Sequence, residues 1–172
     1  DPIEKYLKED TKMVLIQRSR GYSLRNPLSV DDISKIIKIV KSKNPNICCF
    51  VDNCYGEFVD KMEPTDVGAD VMCGSLIKNI GGSLAKSGAY IVGKKKIIEL
   101  CAERLTAPGI GKEVGVNFNQ NRNILQGLYF APQVVCNALK INKLFATAFN
   151  KCNIKTIPKF NEMQDDIVLS IF

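Results

Sequence analysis

The sequence has no histidine and no tryptophan, and aromatic residues fill only 8% of its 172 positions. None of its seven cysteines (Cys48, Cys49, Cys54, Cys73, Cys101, Cys136 and Cys152) forms a C-x-x-C pair. Zinc sites draw on such pairs and on histidine, so no metal site is expected. The odd cysteine count, with several members inside apolar runs, also argues against a disulfide framework. Reduced, mostly buried thiols of a cytoplasmic protein are expected instead, with cysteine acting as a small hydrophobe. No apolar run approaches the roughly 18–20 residues needed to span a bilayer, so no membrane partner is expected. The opening Asp1-Pro2-Ile3-Glu4-Lys5 has no signal-peptide pattern. A first residue other than Met leads us to expect that an upstream part has been removed.

Basic clustering is also missing. The formal charge is +6, but it comes from scattered lysines, with one short run at Lys94-Lys95-Lys96 that opens a helical pattern. Nucleic-acid recognition needs basic residues gathered on one face and interleaved with aromatics. No nucleic-acid partner is expected.

What is present, 45% hydrophobic and 24% charged residues, suits one α/β domain with a sizeable core. Apolar runs alternate with helical spacing, the signature of a parallel sheet covered by helices. Strands are expected at Met13–Ile16, Ile47–Val51, Ala69–Cys73 and Ala89–Val92. Ser29 to Asp32 supplies a helix start, and apolar residues follow at 33, 36, 37 and 40. Asn44-Pro45-Asn46 ends that helix. Lys95 to Leu105 reads as a second helix, stopped by Pro108-Gly109-Ile110-Gly111. Residues 123–150 read as a third, with a kink at Pro132. The chain closes on the apolar run Ile167–Phe172, which has no capping sequence after it and so reads as cut.

Two loops follow buried strands, Val51-Asp52-Asn53-Cys54-Tyr55 and Gly74-Ser75-Leu76-Ile77-Lys78-Asn79. The carboxyl ends of parallel strands open on one crevice, where ligands bind. Pyridoxal phosphate needs an amine to attach it and a carboxylate beside its pyridine nitrogen. It also uses a phenol near O3′, and hydroxyl or N–H donors for its phosphate. Lys78, Asp52, Tyr55 and Ser75 supply these side-chain types. Each residue alone has an ordinary account as a turn, cap or solvated side chain; the combination D-x-x-Y followed by G-S-x-x-K-N is more specific.

That combination resembles the fold-type I pyridoxal-phosphate enzymes, the aspartate aminotransferase superfamily. Longer stretches resemble one family within it, the methionine gamma-lyase-like or aluminium resistance protein family. They are Ile16–Tyr22, FVDNCYGEFV from Phe50 to Val59, EPTDVGAD from Glu63 to Asp70 and GSLIKNIGG from Gly74 to Gly82. RLTAPGIGKEVG (Arg104–Gly115) and QGLYFAPQVV (Gln126–Val135) extend the likeness over most of residues 12–150.

The resemblance implies a partial large domain of a pyridoxal-phosphate-dependent transferase fold, a mostly parallel sheet with helices on both faces. That domain would cover residues 1–150 and end in a long helix, with 151–172 the start of a truncated small domain. Lys78 would be the Schiff-base lysine and catalytic base, Asp52 the partner of the pyridine nitrogen, Tyr55 a ligand of O3′ and Ser75 a phosphate ligand. Lys86, where aminotransferases often place a phosphate-binding arginine, reads as a solvated lysine. Arg18 and Arg20 could meet a carboxylate or phosphate, or pair at the surface. The Pro108–Gly111 loop could border a partner subunit's site or simply stop a helix.

The implied activity is that of a carbon–sulfur lyase acting on a sulfur-containing amino acid, in a homodimer or larger assembly. An aminotransferase would use the same residues, and a non-catalytic remnant or interaction module is the alternative from another class. Family members are longer, with an upstream Gly/Ser-rich helix start for the cofactor phosphate and a C-terminal domain that commonly binds the substrate carboxylate.

Overall fold

The computed structural model describes residues 3–172; Asp1 and Pro2, part of the opening read above, lie outside the described residues. Its main sheet has four strands in the order β1 (Met13–Gln17), β2 (Cys48–Asp52), β3 (Val71–Ser75), β4 (Ala89–Gly93). The first two pairings are parallel and the third is antiparallel. Helix α1 (Val30–Lys43) makes the crossover from β1 to β2, and α2 (Lys95–Leu105) follows β4. The long α3 (Asn121–Lys151) leads to a small antiparallel pair, β5 (Thr156–Ile157) and β6 (Ser170–Ile171).

The start of α1 is fixed by its own sequence. Ser29 Oγ accepts the Asp32 N–H at 3.1 Å, and Asp32 Oδ2 accepts the Ser29 N–H at 3.3 Å. This reciprocal box satisfies two N–H groups that a helix start otherwise leaves unpaired. The apolar stripe of α1 then buries Ile33, Ile37 and Val40 against Ile16, Cys49 and Val51 of the sheet. Each such side chain, fully buried, contributes roughly 1.5–3 kcal/mol.

A buried carboxylate locks this layer. Asp70 Oδ2 accepts the Cys49 N–H at 2.7 Å and pairs with Lys41 of α1 at 2.6 Å, while Oδ1 pairs with Lys94 just before α2. Burial opposes its ionisation, but the Cys49 N–H and the two ammonium groups together hold its pKa below the usual aspartate value.

The opposite face of the sheet carries Met13, Leu15, Phe50 and Ile91 by strand alternation. It is covered only in part: Met13 is 54% and Leu15 64% exposed. Cys101 of α2 approaches this face, and Cys48 is pushed up in pKa by burial first and by that thiol among its lesser influences. Of the seven free thiols only Cys49 is fully buried; Cys136 and Cys152 are exposed, against the expectation of mostly buried cysteines.

Two strands sit further along the chain than the sequence reading has them. β2 covers Cys48–Asp52 rather than 47–51. β3 covers Val71–Ser75 rather than 69–73, because Asp70 is the ion-pair anchor and Gly74 pairs with Tyr90 across the ladder. α3 is one helix of 31 residues with Pro132 inside it. Among the described residues, no helix is long and apolar enough to cross a membrane.

The turn after β3 is seated on α3 through glycines. Gly82 has φ +51°, and a Cβ there would collide with the Gly127 carbonyl, while a Cβ on Gly127 would collide with the Gly81 carbonyl. Both obstacles are backbone and cannot swing away. Gly127→Ala should therefore destabilise the protein by about 1–3 kcal/mol through overpacking, read as a lower denaturation midpoint at an unchanged m-value. An unchanged midpoint would show that the turn and α3 are free to separate.

Candidate active site

β2 and β3 are parallel and adjacent, so their carboxyl ends deliver two loops to one edge of the sheet. Asp52 is the last residue of β2, and Ser75 the last of β3. Asp52 Oδ1 accepts the Cys54 N–H at 3.1 Å, which turns the chain sharply out of the strand. Tyr55 then takes φ +69°. This left-handed conformation is uncommon for a large side chain and costs roughly 1–2 kcal/mol. Lys78 stands just before a 3-10 turn at Asn79–Gly81, and its Nζ lies 4.8 Å from the centroid of the Tyr55 ring.

Tyr55 is the junction of the site. With Asp52 and Cys54 it lines a cavity of about 630 Å³ also bordered by Ser19, Arg20 and Tyr22. With Lys78, Asn79 and Ile167 it lines a smaller one of about 200 Å³. Cys54 links Asp52 to Ser75: its thiol meets the Asp52 carboxylate and the Ser75 backbone, and burial, then Asp52, push its pKa up to about 11. A thiol so placed stays protonated at neutral pH and is a poor nucleophile. Lys78 is raised above the ordinary lysine value, by Tyr55 as a hydrogen-bond partner first and through its charge second. Ser75 Oγ accepts the Ile77 N–H at 3.2 Å and borders neither of these cavities. A more apolar cavity of about 530 Å³ lies away at the C-terminal segment, among Leu24, Ile154, Phe160 and Phe172. Among the described residues, the titratable side chains that line it are those of Lys155 and Lys159, with no side-chain carboxylate beside them.

Beneath the loops is a buried polar layer. Arg18, one residue past β1, donates to Asn53 Oδ1 at 2.9 Å and pairs with Glu63 at 3.5 Å. Arg20 donates to the carbonyls of Ile157 and Val168 and to Ser170 Oγ, tying the β1 loop to the C-terminal segment. Both arginines are buried, which corrects the surface-pairing account of them. In each arginine a single terminal nitrogen makes these bonds, Nη1 of Arg18 and Nη2 of Arg20. Lys86 is exposed, as a solvated lysine should be. Sequence reasoning gave no role to Asn53, Glu57, Glu63, Asn79 or Tyr90, although Glu57 was visible as the one acid inside the apolar stretch after Tyr55.

Glu57 is 1% exposed, accepts the Tyr90 hydroxyl at 2.8 Å, and is pushed up to about 7 by burial, against the lowering effect of that hydrogen bond. The folded state then binds this proton more tightly than the unfolded chain, whose carboxyl titrates near 4.5. The resulting stability is complete below the unfolded value and is lost as pH rises from 4.5 to about 7. The gap corresponds to about 3 kcal/mol. Glu57→Gln should flatten that slope and leave the variant the more stable above neutrality, as denaturant titrations across this range would show. Parallel pH curves for the two proteins would refute the assignment.

The fold, a mostly parallel sheet with helices, matches the partial large domain of the fold-type I pyridoxal-phosphate-dependent transferases. The aspartate aminotransferase of subgroup IV from Thermus thermophilus shares this fold, with a TM-score of 0.59 at 15% identity over all of this chain and 51% of that one. The sequence model described as methionine gamma-lyase matches residues 1–172, and the chain belongs to that family. It is 44% identical over 171 residues to the uncharacterized protein YnbB of Bacillus subtilis, covering 99% of this chain and 41% of that protein. A carbon-sulfur lyase involved in aluminum resistance from Clostridium novyi superposes with a TM-score of 0.92 at 48% identity, covering 98% of this chain and 40% of that one. The chain thus spans about two fifths of the length of these relatives.

Proposed function

We propose that the complete protein is a pyridoxal-phosphate-dependent carbon–sulfur lyase of sulfur-containing amino acids, and that these residues carry the amine and carboxylate half of its site. The observation that carries the proposal is the Lys78 amine set over Tyr55 beside the Asp52 strand end, in a chain whose relatives include a carbon–sulfur lyase. The donor set fits the cofactor: an amine, a carboxylate, a phenol and a hydroxyl reach one sheet edge, next to a cavity in the range that small-molecule sites occupy.

When bound, the cofactor supplies an electron-accepting ring that stabilises negative charge at the substrate α-carbon. Lys78 would hold the cofactor covalently and, once released from it, move the α-proton. Asp52 would keep a proton on the pyridine nitrogen. Tyr55 would orient the Lys78 amine through its ring and face O3′ with its hydroxyl. Ser75 would serve the phosphate with its hydroxyl, at the end of β3. Ile167, whose N–H donates to the Tyr55 carbonyl at 3.3 Å, lines the smaller cavity with Lys78 and would help hold the Tyr55 loop in place. We assign 1–150 to the cofactor-binding domain and 151–172 to the start of a second one on the family resemblance.

The test is product analysis of the complete protein with methionine and with cystathionine. A lyase converts substrate and water into a thiol, ammonia and a 2-oxo acid in equal amounts. Amino-group transfer to an added 2-oxo acid, with no thiol released, would replace the proposal with an aminotransferase. Association of two copies belongs to the same proposal, since α3 exposes Leu125, Tyr129, Leu144 and Phe145 and such patches favour assembly. A fully active monomer in sedimentation would remove that part.

A further inference from the structure

The function proposed above uses Tyr55 and Lys78 together, yet they stand on separate loops that leave separate strands. What fixes their relation is buried. Asn79, 3% exposed and next to Lys78, donates from Nδ2 to the Glu57 carbonyl at 2.9 Å. Glu57 lies two residues past Tyr55, and its carboxyl accepts the hydroxyl of Tyr90, on β4. Tyr90 pairs in the ladder with Gly74, one residue before Ser75. A Cβ on Gly74 would strike both the Glu57 carboxyl and the Tyr90 ring, so glycine is what lets these groups meet over β3. The three contacts close a circuit from the Tyr55 loop, through Asn79, to the Lys78 loop, and back through Tyr90 and β3.

We infer that Glu57, Asn79 and Tyr90 form a bracket that sets the Tyr55–Lys78 geometry, and that they are positioning residues for the reaction proposed above. The inference deepens that reading and rests on it for the word reaction. The bracket itself is a claim about the protein without cofactor.

Buried side-chain bonds of this kind are high-stakes: Asn79 Oδ1 and Glu57 Oε2 have no hydrogen-bond partner among the described residues, so no second side-chain bond on either residue backs up the one that is made. Loss of either link frees one loop from the other. The first consequence would appear at Lys78. Its amine is held above the ordinary lysine value chiefly by Tyr55, with smaller contributions from Cys54 and Tyr22 and an opposing one from burial. Moving the ring away from the amine removes the largest of these.

The experiment is labelling of Lys78 by an amine-acylating reagent in the complete protein without cofactor, followed peptide by peptide across a pH series. Asn79→Ala and Tyr90→Phe should each lower the labelling midpoint of Lys78 toward that of the other lysines. At about pH 9 the gain should be at least about threefold in labelling rate, with the remaining lysines unchanged. Glu57→Gln keeps an acceptor for Tyr90 and the same backbone carbonyl, so it should label as the parent does. A merely structural role would lower the melting temperature and leave the Lys78 midpoint in place. Tyr90→Phe, which removes a single hydroxyl, decides the matter if Asn79→Ala does not fold. A parental Lys78 midpoint in a folded Tyr90→Phe protein, or a shift shared by all lysines, overturns the bracket. Failure of the proposed function would look different: borohydride would fix the cofactor on another lysine, or on none, while the labelling shift persisted.

Discussion

Lys78→Ala in the complete protein is expected to abolish covalent retention of pyridoxal phosphate and to lower turnover by more than about ten-thousandfold. One nitrogen would have two duties, holding the cofactor and carrying the substrate α-proton, and alanine removes both. Among the described residues, neither Lys86 nor Cys54 is placed to substitute. Lys86 is exposed and borders neither of the cavities that Tyr55 lines. Cys54 is held protonated by burial and by Asp52. Lys78→Arg is the informative companion. It keeps a cation over the Tyr55 ring but offers no amine for attachment, so it should fold as the parent does and fail as alanine does. Borohydride reduction with peptide mapping, beside single-turnover rates, reads both effects. Cofactor fixed at another lysine, or turnover within about tenfold of the parent, would remove Lys78 from the site.

Much of this arrangement can be read in the sequence because its causes are local. Ser29 and Asp32 announce the start of α1, and Lys95–Leu105 is found at both ends as expected. Asp52 and Ser75 end parallel neighbours because short apolar runs of this kind form buried strands. What escaped depends on partners distant in the chain. For Arg18 and Arg20 the sequence leaves a carboxylate or phosphate partner and surface pairing equally open, until Asn53, Glu63 and the 157–170 segment supply acceptors for them. Gly74 looks like a turn residue, but Tyr90 holds it in the ladder and Glu57 needs its missing Cβ. The antiparallel direction of β4 likewise follows from pairing and cannot be heard in Ala89–Gly93 alone. The side chains of the candidate site are legible as types in an order; the contacts of Glu57, Asn79 and Tyr90 beneath them are not.

Asp52→Ala should fail in another way, and the contrast with Lys78 separates attachment from chemistry. The alanine protein keeps the Lys78 amine and the Tyr55 ring, so covalent retention of the cofactor should survive. What is lost is the carboxylate that would hold a proton on the pyridine nitrogen. The ring then accepts negative charge poorly, and release of the substrate α-proton should slow far more than cofactor affinity falls. A loss of about 4 kcal/mol of transition-state stabilisation corresponds to roughly a thousandfold in rate. One complication is local. Asp52 Oδ1 also accepts the Cys54 N–H and so shapes the turn into Tyr55. Asp52→Asn answers it, since the amide oxygen can still accept that N–H while the negative charge is gone. If the charge is what matters, asparagine and alanine should be about equally slow. If the turn is what matters, asparagine should recover most of the parental rate. Hydrogen–deuterium exchange at the substrate α-carbon, measured in single turnovers with cofactor absorbance recorded alongside, distinguishes the two. Exchange at the parental rate in Asp52→Ala would show that some other group serves the pyridine nitrogen.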